Sequence, residues 1–162
     1  MASETLNSCE SHLADWMDQA TEGQHSFAQL SEEKIQELNA LAYWLYQNQH
    51  YSESSHFFRL LVMVRPLEAK FWKGLGACLQ IQKDYEEALY CYFCCSQQMA
   101  QNQADPYVYV QTADCYFALK QVDEGLKALE AAHFIAKNIQ DERVLQHVAV
   151  MQQRWSKDHK NT

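Results

Sequence analysis

Trp72-Lys73-Gly74-Leu75-Gly76-Ala77-Cys78-Leu79, followed by Tyr85, Ala88, Tyr92 and Cys95, is the second of three copies of one pattern. The first copy aligns as Leu38, Leu41, Ala42, Leu45, Tyr51, Ser54, Phe58 and Leu61, and the third as Tyr109, Thr112, Ala113, Tyr116, Val122, Gly125, Leu129 and Ala132. The registers are offset by 34 and then by 37 residues. Large apolar side chains recur where two antiparallel helices need them to fill a shared core, and small ones recur where the helices must approach closely.

A helix-turn-helix period of 34 residues is that of a tetratricopeptide array, a solenoid in which each helical pair stacks only on its neighbours. The chain therefore reads as all-α, with three repeats in residues 31–137 (about 35–66, 69–101 and 106–137). Residues 1–30 form a leading helical segment, and residues 138–162 a capping helix and a polar tail. Gly76 stands in mid-helix, where it costs about 1 kcal/mol relative to alanine. The expected reason is a close crossing of the next helix at Ala88, with Ala42 against Ser54 and Ala113 against Gly125 as the equivalent contacts.

Composition agrees. The 162 residues hold 2 prolines and 4 glycines, few enough to leave long helices unbroken. A formal charge of −8 argues against nucleic acid as a partner. The start, Met1-Ala2-Ser3-Glu4, lacks the positive segment and apolar run of a secretory signal, and no apolar run is long enough to span a bilayer. The 6 cysteines mostly lie among large hydrophobes inside predicted helices, so they read as free thiols of a cytoplasmic protein.

Cys9, Leu13, Trp16, Met17 and Ala20 recur at helical spacing before the first repeat. This segment either folds over its own solenoid or makes a dimer contact through Leu13, Trp16 and Met17. Ser31 with Glu32 and Glu33, and Asp105 with Pro106, are helix starts. Val144, Val148, Met151 and Trp155 give the capping helix, over about Glu142 to Trp155, its apolar stripe, and Lys157 to Thr162 read as a disordered tail.

No catalytic or cofactor motif stands out. Cys91, Cys94 and Cys95 lack the further ligands that a zinc site needs, and the 7 histidines form neither HExxH nor a pair. No phosphate loop and no nucleophile elbow are present. The chain reads as no enzyme, with no cofactor and no metal.

What remains is surface. In such an array the first helix of each pair lines the concave side, and its residues outside the core are offered to a ligand. These are Asn39, Tyr43, Tyr46 and Gln47, then Lys70, Lys73, Ala77 and Gln80, then Tyr107, Val110, Asp114 and Phe117. Aromatic rings there suit side-chain pockets, while Asn39, Lys73, Gln80 and Asp114 can take the backbone polar groups of an extended peptide. Tyr43 and Phe117 have a second reading open to them, as packing against a neighbouring repeat.

The run Lys70-Phe71-Trp72-Lys73-Gly74-Leu75-Gly76-Ala77-Cys78, with Ala113-Asp114-Cys115 after Asp105-Pro106, resembles the class II chaperones of type III secretion systems. The resemblance covers roughly residues 31–136. It implies a cytoplasmic, non-enzymatic, ATP-independent chaperone that holds an extended segment of hydrophobic, pore-forming translocator proteins in its groove, with a leading segment used in homodimers. It carries the groove aromatics onto Tyr46 and Tyr51, with Tyr107 and Phe117 around them. An aromatic often found early in the first repeat is Asn39 here, which exchanges an apolar pocket for a hydrogen-bonding group. Two other readings compete: a generic tetratricopeptide adaptor that protects no client, and a carboxylate clamp, for which Lys70 and Lys73 supply only part of the positive cluster. Neither nucleic acid nor direct membrane insertion is expected.

Overall fold

The computed structural model describes residues 30–99 and 104–160, the last four of these by their backbone. Seven helices follow one another: α1 (Glu32–Gln47), α2 (Tyr51–Val64), α3 (Ala69–Ile81), α4 (Tyr85–Gln98), α5 (Pro106–Ala118), α6 (Val122–Ile139) and α7 (Glu142–Lys160). The leading segment with Leu13, Trp16 and Met17 lies outside the described residues.

Local chemistry sets the helix ends. The Ser31 hydroxyl accepts a bond from the Lys34 amide (3.3 Å), with two glutamates in the first turn of α1. Asp105 accepts from the Tyr107 amide (2.9 Å), with Pro106 just inside α5. Pro66 has no amide to donate and lies just past the end of α2. The first helix of each repeat stops in the same way: Gln49, Lys83 and Lys120 take left-handed conformations with φ of 66°, 68° and 60°. The next amide then reaches back five residues, His50 to Leu45, Asp84 to Leu79 and Gln121 to Tyr116, each at 2.9 Å. These three residues are spaced by the same 34 and 37 positions as the repeats.

Each helix packs on its neighbours in sequence, and the first helices also meet directly, α1 with α3, α3 with α5, and α5 with α7. No comparable contact joins the second helices, α2, α4 and α6. Close approach on one side and spacing on the other curve the array, with the first helices on the inner wall.

The core forms two clusters. One runs through the first two repeats, around Leu45, Phe58, Leu61, Phe71, Leu79 and Tyr92, and reaches Val108 and Cys115 of α5. The other joins the third repeat to α7, around Val110, Phe117, Leu129, Val144 and Val148. Buried Ser54 is satisfied inside the first cluster. Its hydroxyl donates to the Ala42 carbonyl (2.8 Å) and accepts from the Cys78 thiol (3.3 Å).

Gly76 has no room for a side chain, but the reason differs from the crossing expected at Ala88. A Cβ placed there would come within 2.7 Å of the Tyr92 ring, one turn further along α4. Gly74 stands in the same way against Phe58, and Gly125 against Phe117. The last helix is also longer than its apolar stripe. It continues to Lys160, so residues 157–160, expected as tail, are helical.

A non-glycine residue in the left-handed region costs about 1–2 kcal/mol, whereas glycine adds only about 0.5–1 kcal/mol of unfolded-state freedom. Urea denaturation of Gln49→Gly should therefore show a stability gain of roughly 0.5–1 kcal/mol. Gln36→Gly, inside α1, should lose about 1 kcal/mol in the same assay.

Candidate functional site

The inner wall holds aromatic side chains that the core does not consume. Tyr43 of α1 keeps 39% of its surface exposed, and its ring meets Phe58 edge-on at 5.3 Å and 86°. Phe58 is fully buried and rests on Gly74, so Tyr43 sits on a fixed base. Burial pushes the Tyr43 phenol above its ordinary value, with Lys73 pulling the other way. The hydroxyl therefore stays protonated at neutral pH and can donate or accept. Tyr46, half-buried, meets Tyr51 edge-on at 5.4 Å, and its phenol is likewise raised by burial. Tyr107, in the first turn of α5, is 45% exposed.

The polar residues of the wall divide by what already holds them. The Lys73 ammonium donates to Asp105 across the junction of the second and third repeats. The Gln80 side-chain oxygen accepts from the Tyr92 hydroxyl (2.7 Å), leaving the Gln80 amide to donate. Exposed Lys70 pairs with Glu68 at 3.6 Å. Asn39 Oδ1 and Gln111 Oε1 are buried without a hydrogen-bond partner among the described residues, a cost of about 1–3 kcal/mol each. Burial holds the Asp114 carboxyl above the usual range, partly offset by His147 of α7. A carboxyl raised by folding costs stability at neutral pH, and that cost disappears as pH falls through its folded value.

Val110 and Phe117 are enclosed, with 4% and 5% of their surface exposed. Phe117 fills the space left by Gly125 and stacks on Trp155 of α7, with the rings 4.3 Å apart and 10° from parallel. Of the two roles open to Tyr43 and Phe117, Phe117 takes the packing one and Tyr43 keeps an open face. The sequence reading missed Gln111, the support of Tyr43 by Phe58, and the cover of Phe117 by Trp155. The glycine spacing and the stripe ending in Trp155 were signals of the last two.

Burial keeps the thiols of Cys78, Cys91, Cys95 and Cys115 protonated. Burial pushes Cys91 and Cys115 to about 12 and Cys95 to about 11. Among the described residues the cysteines are free, and no group of three His, Cys, Asp or Glu could hold a metal ion. No helix among them is long and apolar enough to cross a membrane.

Residues 69–95 match the tetratricopeptide repeat family. Low calcium response locus protein H of Yersinia pestis is 30% identical over 95 residues, 57% of this chain and 55% of that protein. The chain thus spans about half the length of the curated relatives it matches. Among solved structures, PcrH in complex with the chaperone binding region of PopD is 25% identical with a TM-score of 0.75, covering 81% of this chain and 97% of that one; PcrH comes from Pseudomonas aeruginosa. The CopN-Scc3 complex contains a chain 30% identical with a TM-score of 0.66, covering 73% of this chain and 71% of that one.

Because Phe117 is a core residue, Phe117→Ala should cost about 3–5 kcal/mol in urea denaturation. Tyr43→Ala, which trims a half-open ring, should cost about 1–2 kcal/mol.

Proposed function

The chain belongs to the class II chaperones of type III secretion systems, and from that premise we propose that it holds an extended segment of a hydrophobic translocator along its inner wall, without enzymatic activity. It does so in the cytoplasm, before export. PcrH, with which the chain shares its fold over most of its length, forms complexes with the chaperone binding regions of PopD and PopB.

The observation that carries the proposal is the pair Tyr43 and Tyr107. They lie on the first helices of the first and third repeats and keep 39% and 45% of their surface outside the core. Each offers a flat apolar face with a polar tip, well suited to an apolar client side chain beside its own backbone. Tyr46, on the same helix as Tyr43, and Tyr51, which it meets edge-on, are proposed to extend the wall within the first repeat. Lys70, Lys73, the Gln80 amide, Asn39 and Asp114 are the groups proposed to take backbone polar atoms.

Burial of one apolar anchor contributes about 1.5–3 kcal/mol, and ordering a disordered segment returns about 2–5 kcal/mol or more of the total. A few anchors therefore give binding strong enough to shield the client and weak enough to reverse. A translocator destined for a bilayer carries apolar segments that aggregate when left free. Covering one of them delays that without folding the client.

Calorimetric titration of the full chain with a translocator's chaperone-binding segment tests the proposal. Tyr43→Ala with Tyr107→Ala should weaken binding about tenfold or more, with circular dichroism unchanged. Undiminished affinity in a folded double variant would defeat the assignment of the wall. The leading segment is proposed as a homodimer contact through Leu13, Trp16 and Met17. Sedimentation equilibrium on a chain begun at Gln24 should then find a monomer where the full chain is dimeric, and an unchanged state would remove the dimer role.

A further inference from the structure

On the outer side, α2 and α4 run the same way and are separated by α3, so a cleft opens between them. It holds a cavity of about 550 Å3. Its apolar lining comes from Val62 and Met63 of α2, Trp72 and Leu75 of α3, and Tyr90 of α4. Met63 and Tyr90 are 69% and 62% exposed. Two contacts hold the cleft open and shaped. The Trp72 indole N–H donates to the Pro66 carbonyl (2.7 Å), and its ring meets Tyr90 edge-on at 6.1 Å and 83°.

The rim is acidic. Arg59 of α2 reaches across to Glu87 of α4 at 2.7 Å, which neutralises one of the two lining glutamates. Glu86, also lining the cavity, has no ion-pair partner among the described residues. An unpaired carboxylate therefore stands beside an apolar recess with two perpendicular aromatic rings.

We propose that this outer cleft is a second docking site, for an amphipathic helix of a partner protein that inserts a bulky aliphatic side chain and sets an arginine against Glu86. A cleft flanked by two helices that run the same way, with a third as its floor, suits a further helix laid into it. The single negative charge at the rim selects a cation. Arginine fits better than lysine, because its planar head can pair with the carboxylate while lying on the exposed Tyr90 face. The site lies on the opposite side of α3 from the inner wall, so both can be occupied at once, and it stands whether or not the inner wall takes a client.

The probe is a fluorescein-labelled synthetic peptide of about 16 residues, helical by composition, with a leucine face flanked by arginines. Its anisotropy is followed on titration with the full chain. Saturable binding is expected, weakened about tenfold by Tyr90→Ser, by Glu86→Lys, or by exchange of the arginines for glutamates. Tyr43→Ala on the inner wall should leave it unchanged. Tyr90 is largely exposed, so its variant should keep the parent's melting curve. Absence of saturable binding, indifference to both outer-face changes, or loss in Tyr43→Ala would overturn the proposal. A chain that sediments as a dimer and becomes monomeric on Tyr90→Ser would make a second copy the occupant, and would overturn it too.

Discussion

The architecture depends on aromatic rings that occupy the space of missing side chains. Phe58 of α2 lies over Gly74 of α3, Tyr92 of α4 over Gly76 of α3, and Phe117 of α5 over Gly125 of α6. A ring against bare backbone lets two helices approach closely while still filling the interface to the density of a protein interior. The first of these contacts crosses between repeats and the other two lie within repeats, so both kinds of junction rest on the same device. A methyl group at any of the three glycines would have to move a ring that has little or no exposed surface.

Two surfaces follow from this packing. The first helices touch one another and form a continuous inner wall, where Tyr43 rests on Phe58 and so has a defined position without being buried. The second helices are spread apart by the helix between them, and the spread is what leaves a recess above Trp72 and Leu75. One curvature thus produces both an inner wall of first helices and an outer cleft between α2 and α4. The inner wall is tied to the rings that set the curve, through Tyr43 on Phe58 and Gln80 on the Tyr92 hydroxyl.

Much of the fold was legible in the sequence, because a repeated pattern reports the same contacts three times. The helix starts at Ser31 and Asp105 and the stop before Pro66 follow from single residues. Other features were not legible. Gln49, Lys83 and Lys120 take a left-handed conformation that glycine usually marks, and nothing in their side chains announces it; only their common spacing does. Ala88 sits at the position where a crossing was expected, but the volume that excludes a side chain at Gly76 belongs to Tyr92, one turn away. Within the candidate site, periodicity places a residue on a face without saying how much of that face a neighbour covers. That is why Tyr43 and Phe117 look alike in the pattern. The capping helix separates them by laying Trp155 over the latter.

Asp105 has a double part. One oxygen caps the start of α5 and the other takes the charge of Lys73 from the preceding repeat. The third repeat is thereby fastened to the second through its own first turn. A single charged clasp between Lys73 and Asp105 thus ties the start of α5 back to α3.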